Sequence, residues 1–221
     1  MRLRYPSTLV LVAAATLIPL VAGCNIVSAM AYFFGPQQIQ KAEFKLTDGR
    51  LAVFVDWTHP EQDNPVFTQA LHEKLIEIFR DHNVRAQLIP PEEIYRLRQQ
   101  NRDFGQWSIQ KVGQRVNARQ VLYVRVDELQ LREAPDSPVM LPAVRLRTRV
   151  VDPQAPKDKA QLWPTAQEPD GREAARARQH REFTDPVAVD AEAAKLGRDT
   201  AYIVAAPFYD VDLEQRTPWE P

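Results

Sequence analysis

Four side chains in one short stretch have the chemistry for a site. In "DWTHPEQD" the carboxylates of Asp56, Glu61 and Asp63 surround the imidazole of His59. A histidine among carboxylates can ligate a metal ion or share a proton with its neighbours. Asp56, His59 and Asp63 are therefore the candidates for a metal-dependent or hydrolytic centre. No second histidine falls at ligand spacing, so the same stretch also reads as a solvated loop that caps the helix after it. His72 and His82 lie ten residues apart, on different faces of that helix, and are expected at the surface or its boundary. No serine sits in a nucleophile elbow, and the seven glycines do not cluster into a phosphate-binding loop.

Arginine supplies the second kind of chemistry. In "VRLRTRV" the residues Arg145, Arg147 and Arg149 alternate with Val144, Leu146, Thr148 and Val150. On a strand, this sets a row of guanidinium groups on one face. Such a row suits carboxylates or phosphates, and it equally suits the wet face of a half-covered strand. "GREAARARQHR" adds Arg176, Arg178 and Arg181, with nearby acids that can balance them. These six arginines are the candidate partner-binding residues. Neither stretch interleaves aromatics with its basic residues as a nucleic-acid platform does. The formal net charge of −1 supplies no field towards nucleic acid or anionic lipid.

The remaining reactive group is the single cysteine, Cys24, which cannot form an internal disulfide. A basic start with Arg2 and Arg4, then the apolar run Leu9 to Ala22, has the make-up of an export signal. As a helix that run would reach about 21 Å, short of a hydrocarbon core of about 30 Å. Thr8 to Phe34 carries no charge, however, and is long enough for an uncleaved spanning helix. Both alternatives stand, and both put the remainder of the chain outside the cytoplasm, because the arginines stay inside.

The elements that must carry these groups follow from periodicity and end signals. Of 221 residues, 44% are apolar, enough for one domain with a core. "RLAVFVDW" reads as a buried strand. Asn64-Pro65 opens a helix to about Asp81, with Phe67, Leu71, Leu75, Ile78 and Phe79 on one face and Asn83 as a left-handed end. "VRAQLI" is a second strand, Pro91 opens a short helix, and Ser108 caps another. Gln120–Arg132 and Val139–Val151 are long strands of a meander that closes with "AQLWP". Thr165–Arg181 reads as a polar, mobile segment, and a last helix runs from Val187 to about Tyr209. Trp57, Trp107 and Trp163 fill the core or its rim. The expected order is β-α-β-α-α-β-β-β-α: an α/β sandwich with a mixed sheet of about five strands. The divisions are 1–23 signal, 24–47 anchor and tether (polar over Gln37–Lys45), 48–212 one α/β domain, and 213–221 a loose tail.

Val21-Ala22-Gly23-Cys24 resembles the lipobox of bacterial lipoproteins. That resemblance implies cleavage before Cys24 and acylation of its thiol, the covalent lipid being the only attached group expected. Two or more acyl chains suffice for stable anchoring in the bilayer. By the enterobacterial sorting rule, Asn25 after the cysteine favours the outer membrane over the inner. "LAVFVDWTHPEQDNPVFTQALHEKLIEIF" and "GQRVNARQVLYVRVDELQL", with "LWP", resemble a group of periplasmic lipoprotein domains that includes CsgG, LpoB and the amino-terminal domain of TolB. The group implies no catalytic residues. It implies a binding, scaffold or accessory assembly module with an envelope protein partner and possible self-association. The alternative is an envelope hydrolase or metal-dependent enzyme built on Asp56, His59 and Asp63.

Overall fold

The computed structural model describes residues 39–134, 137–165, 167–179, 181–182 and 187–212. The signal, Cys24, the alternative spanning helix and the tail 213–221 lie outside the described residues. Among the described residues, no helix is long and apolar enough to cross a membrane.

Seven strands form one mixed sheet. They are β1 (Gly49–Trp57), β2 (Ala86–Leu88), β3 (Gln120–Arg132), β4 (Val139–Val151), β5 (Gln161–Trp163), β6 (Arg172–Ala177) and β7 (Arg181–Glu182). The spatial order is β2-β1-β3-β4-β5, with β6 and β7 also pairing with β4. β1 runs parallel to both β2 and β3, and every pairing made by β4 is antiparallel.

Four helices flank the sheet: α1 (Pro65–Asp81), α2 (Pro91–Gln100), α3 (Ile109–Arg115) and α4 (Val187–Ala205). α1 starts where the Asn64 side chain accepts from the Phe67 N–H at 2.9 Å, which satisfies an otherwise orphaned helix donor. Asn83, with φ of 54°, turns the chain out of α1. α3 is capped in the same way by Ser108, which accepts from Lys111 N–H.

α1 and α4 cover one face. Phe67, Leu71 and Leu75 of α1 and Leu196, Ala201 and Val204 of α4 pack on Val53, Val55, Leu122, Val124, Leu146 and Val150. The two helices approach so closely that a Cβ on Gly197 would lie 2.5 Å from the Phe67 carbonyl oxygen. On the other face, α2 and α3 cover only Ala52, Phe54, Val121, Tyr123 and the end of β4 at Val151.

Three expectations change. Thr165–Arg181 is not a mobile segment throughout: it carries β6, whose Arg172–Ala177 pairs residue for residue with Thr148–Ala143. The sheet accordingly exceeds the five strands expected. The end of the expected polar tether is fastened to the domain. Phe44 N–H donates to the Pro207 carbonyl, Lys41 pairs with Asp210 at 2.8 Å, and Leu46 is buried. His72 is buried rather than superficial, as described below.

Candidate functional site

The half of the second face that α2 and α3 leave uncovered is where the sequence candidates meet. Strand register places Asp56 opposite Arg125, Arg125 opposite Arg147, and Arg147 opposite Glu173. One rung across β1, β3, β4 and β6 therefore reads acid, base, base, acid. With Thr58, His59, Asp127 and Arg145, this rung lines an open cleft of about 680 Å³.

A bulge in β3 makes the network possible. The register of β3 against β4 shifts between Val126 and Glu128, and the extra residue is Asp127. A bulge re-aims side chains that strict alternation would send to opposite faces. Asp127 and Glu128 consequently both meet arginines. Asp127 accepts from Arg125 Nε at 3.0 Å, lies 3.4 Å from Arg147 Nε, and accepts from Thr58 Oγ1 at 3.1 Å. Glu128 pairs with Arg145 at 2.9 Å. Arg147 also reaches Glu173 at 3.7 Å. Arg149 donates to the Pro169 carbonyl at 3.2 Å and stands over the Tyr123 ring. Arg145 and Arg147 are thus already paired with acids from within, while Arg149 has a carbonyl and a ring for partners and a buried Nε without a hydrogen bond. Around Arg145 and Arg147 the face presents charges of both signs.

Asp56 joins this cleft to the covered half. Its Oδ2 accepts from Tyr123 Oη at 2.8 Å and its Oδ1 from the Trp57 N–H at 3.0 Å. Burial, and next the Asp56 carboxylate, hold the Tyr123 hydroxyl well above the usual phenol range, so it stays a donor. His59 lies 3.5 Å from Glu61, and Asp63 lies 3.3 Å from Arg98. Asp56, His59 and Asp63 are thus engaged by three different partners, because the turn Pro60–Gln62 swings the chain away from the end of β1. Among the described residues, no three His, Cys, Asp or Glu side chains gather in a way that holds a metal ion.

The six candidate arginines do not act as one surface. Arg145, Arg147 and Arg149 share the open face. Arg176 pairs in register with Val144, a residue of the covered face, and its Nε is buried without a hydrogen-bond partner. Arg178 turns to α4, where it pairs with Asp199 and lies 3.5 Å from Glu192. Arg181 is placed only by its backbone, opposite Met140.

Arg125, Asp127, Tyr123 and Glu173 complete the site and were not among the sequence candidates. The alternation in "VLYVRVDELQL" carried the signal for Tyr123 and Arg125. His72 is 2% exposed, its Nε2 lies 3.3 Å from the Ile89 carbonyl, and burial pushes its pKa down.

No protein-family model and no curated protein matches this chain. Solved structures similar to it include the PelC dodecamer from Paraburkholderia phytofirmans, at 15% identity and a TM-score of 0.36, covering 79% of this chain and 97% of that one. Another is the lipoprotein GNA1162 from Neisseria meningitidis, at 14% identity and a TM-score of 0.40, covering 70% and 99% respectively. A third is the LpoB C-terminal domain from Salmonella enterica, at 14% identity and a TM-score of 0.30, covering 62% and 85%. At these values the likeness assigns no role to any residue of this chain.

Proposed function

We propose that this chain is a non-catalytic binding or scaffold lipoprotein of the bacterial envelope, fastened to the outer membrane through acylated Cys24. Its α/β domain offers the open half of the sheet to a protein partner. The observation that carries the docking surface is the rung Asp56–Arg125–Arg147–Glu173, with charges of both signs on a stretch of sheet that no described helix covers. A patterned charged surface selects a partner by complementarity more than by raw affinity. Anchoring is supported by the basic start, the apolar run and Val21-Ala22-Gly23-Cys24.

Two measurements test this. Labelled palmitate should enter the full chain and fail to enter Cys24→Ser; equal labelling, or none in either, removes the lipid anchor. A photo-crosslinking residue at position 59, an exposed position lining the cleft, should in native envelopes capture a discrete protein that a crosslinker at Arg80, an exposed residue of α1, does not. Identical capture from both positions removes the open face as the docking surface.

A further inference from the structure

The edge of β1 stops being paired part-way along the strand. β2 pairs only with Gly49–Leu51, and the last bond on that side runs from Ile89 N–H to the Leu51 carbonyl at 2.8 Å. Pro90 and Pro91 follow at once. Proline has no N–H and cannot continue the ladder, so the chain leaves the edge to form α2.

Which groups face that vacated position follows from alternation. Arg119 N–H donates to the Arg50 carbonyl and Thr58 N–H to the Val126 carbonyl, so the even-numbered residues of β1 bond to β3. The odd-numbered residues point their N–H and C=O the other way, as Leu51 does towards Ile89. Trp57 N–H is taken by the Asp56 carboxylate at 3.0 Å. Val53 and Val55 remain, with two donors and two acceptors that no described strand pairs.

These two residues form the floor of a cavity of about 320 Å³. One wall is α1, through Thr68, Gln69 and His72, and the other is α2, through Ile94 and Tyr95. Val53 and Val55 pack in the cluster under α1, while Ile94 belongs to the cluster on the opposite face. The cavity is therefore the place where one more strand would lie, between the two helix layers.

We propose that this groove takes an extended peptide segment of a partner protein as an added strand, its backbone pairing with Val53 and Val55 and its side chains directed alternately against α1 and α2. The chemistry selects a peptide main chain. Residues two apart on a strand repeat about 6.6–6.8 Å apart, a spacing that another extended backbone matches. An apolar molecule filling the same space would leave buried amide groups unsatisfied. Strand addition supplies affinity through the main chain and selectivity through the pockets for alternate side chains. The mouth carries Asp63 and Glu92 beside Arg98, with Asp63 and Arg98 paired at 3.3 Å. A segment with apolar residues and a flanking lysine complements this lining. The groove shares only Trp57 with the charged cleft, so its failure leaves the proposed anchoring and open-face docking untouched.

The test uses full-length protein in detergent and a fluorescein-labelled acetyl-Lys-Val-Thr-Val-Lys-amide. Two analogues are N-methylated on alternate residues, in opposite phase. The peptide should bind, and hydrogen exchange at the Val53 and Val55 amides should slow at least tenfold. One analogue should lose at least tenfold in affinity and the other should bind like the parent, because an added strand uses one edge. Gln69→Trp, on the exposed side of α1, should block binding while the far-ultraviolet circular dichroism stays unchanged. Absence of binding overturns the proposal, as does equal binding by both analogues, which would mean an apolar pocket. A dimer in sedimentation that Gln69→Trp abolishes also overturns it, in favour of a second copy of this chain.

Discussion

Leu146 and Arg147 are neighbours in β4 and have opposite fates. Leu146 is 1% exposed beneath α1 and α4. Arg147 stands on the other face, where no described helix lies over it and its partners are Asp127 and Glu173. One face of the strand is held by area removed from water, the other by charges that satisfy one another in water. The first is strong and indifferent to partners. The second is weak and can be rearranged, which is what a docking surface requires.

The largest expected effect tests that contrast within a single strand. Leu146→Ala should cost about 2–5 kcal/mol, from lost burial plus the cavity left behind. Arg147→Ala should cost under about 1 kcal/mol, since its side chain is 32% exposed and Asp127 keeps Arg125. Urea midpoints of the two variants, read against the parent, decide this. Equal costs would mean that the open face is structural and would undo the contrast.

Asp127→Ala should fall between the two, at about 1–3 kcal/mol. The Asp127 side chain is only 14% exposed, and its removal leaves Arg125 directly opposite Arg147 with nothing between them. Because the new term is repulsion between like charges, adding salt should restore part of the loss. A loss that salt leaves unchanged would place Asp127 with the packed face instead.

Some of this contrast was legible in the sequence. Gln120–Arg132 and Val139–Val151 are long enough for alternation to separate arginine from aliphatic side chains, and both strands occupy the expected ranges. α1 was legible because Asn64 and Pro65 start it and Asn83 ends it. β6 was not legible. "REAARA" has no β-branched residue, and it becomes a strand because it meets the unpaired side of β4. The bulge at Asp127 was also hidden, since it depends on how β4 registers against β3. His72 gave no sign of burial, because its partner is the Ile89 carbonyl, seventeen residues along the chain.

His72 gives the covered side a pH dependence. Burial lowers its folded-state pKa below the ordinary histidine value of about 6.5. The unfolded chain then binds the proton first as pH falls, so stability is full above about 6.5 and declines through the window just below it. The decline should not exceed about 1.4 kcal/mol per pH unit, the limit for one proton. Urea midpoints at a series of pH values check this, with His72→Gln flattening the slope. An unchanged slope in that variant would shift the effect to another group.

The smallest expected effect is the most telling for the open face. Arg145 and Glu128 pair at 2.9 Å with side chains 52% and 54% exposed. An exposed pair of this kind contributes about 0.2–1 kcal/mol, so Arg145→Ala should move the urea midpoint little. The same change removes one of the three arginines lining the cleft and should reduce crosslinking from a probe at position 59 in native envelopes. Stability and capture should thus separate at Arg145, while Leu146→Ala, one residue away, lowers stability first and capture only as unfolding sets in. If Arg145→Ala leaves capture untouched, the internal pairs satisfy this face completely, and its charges serve the sheet alone.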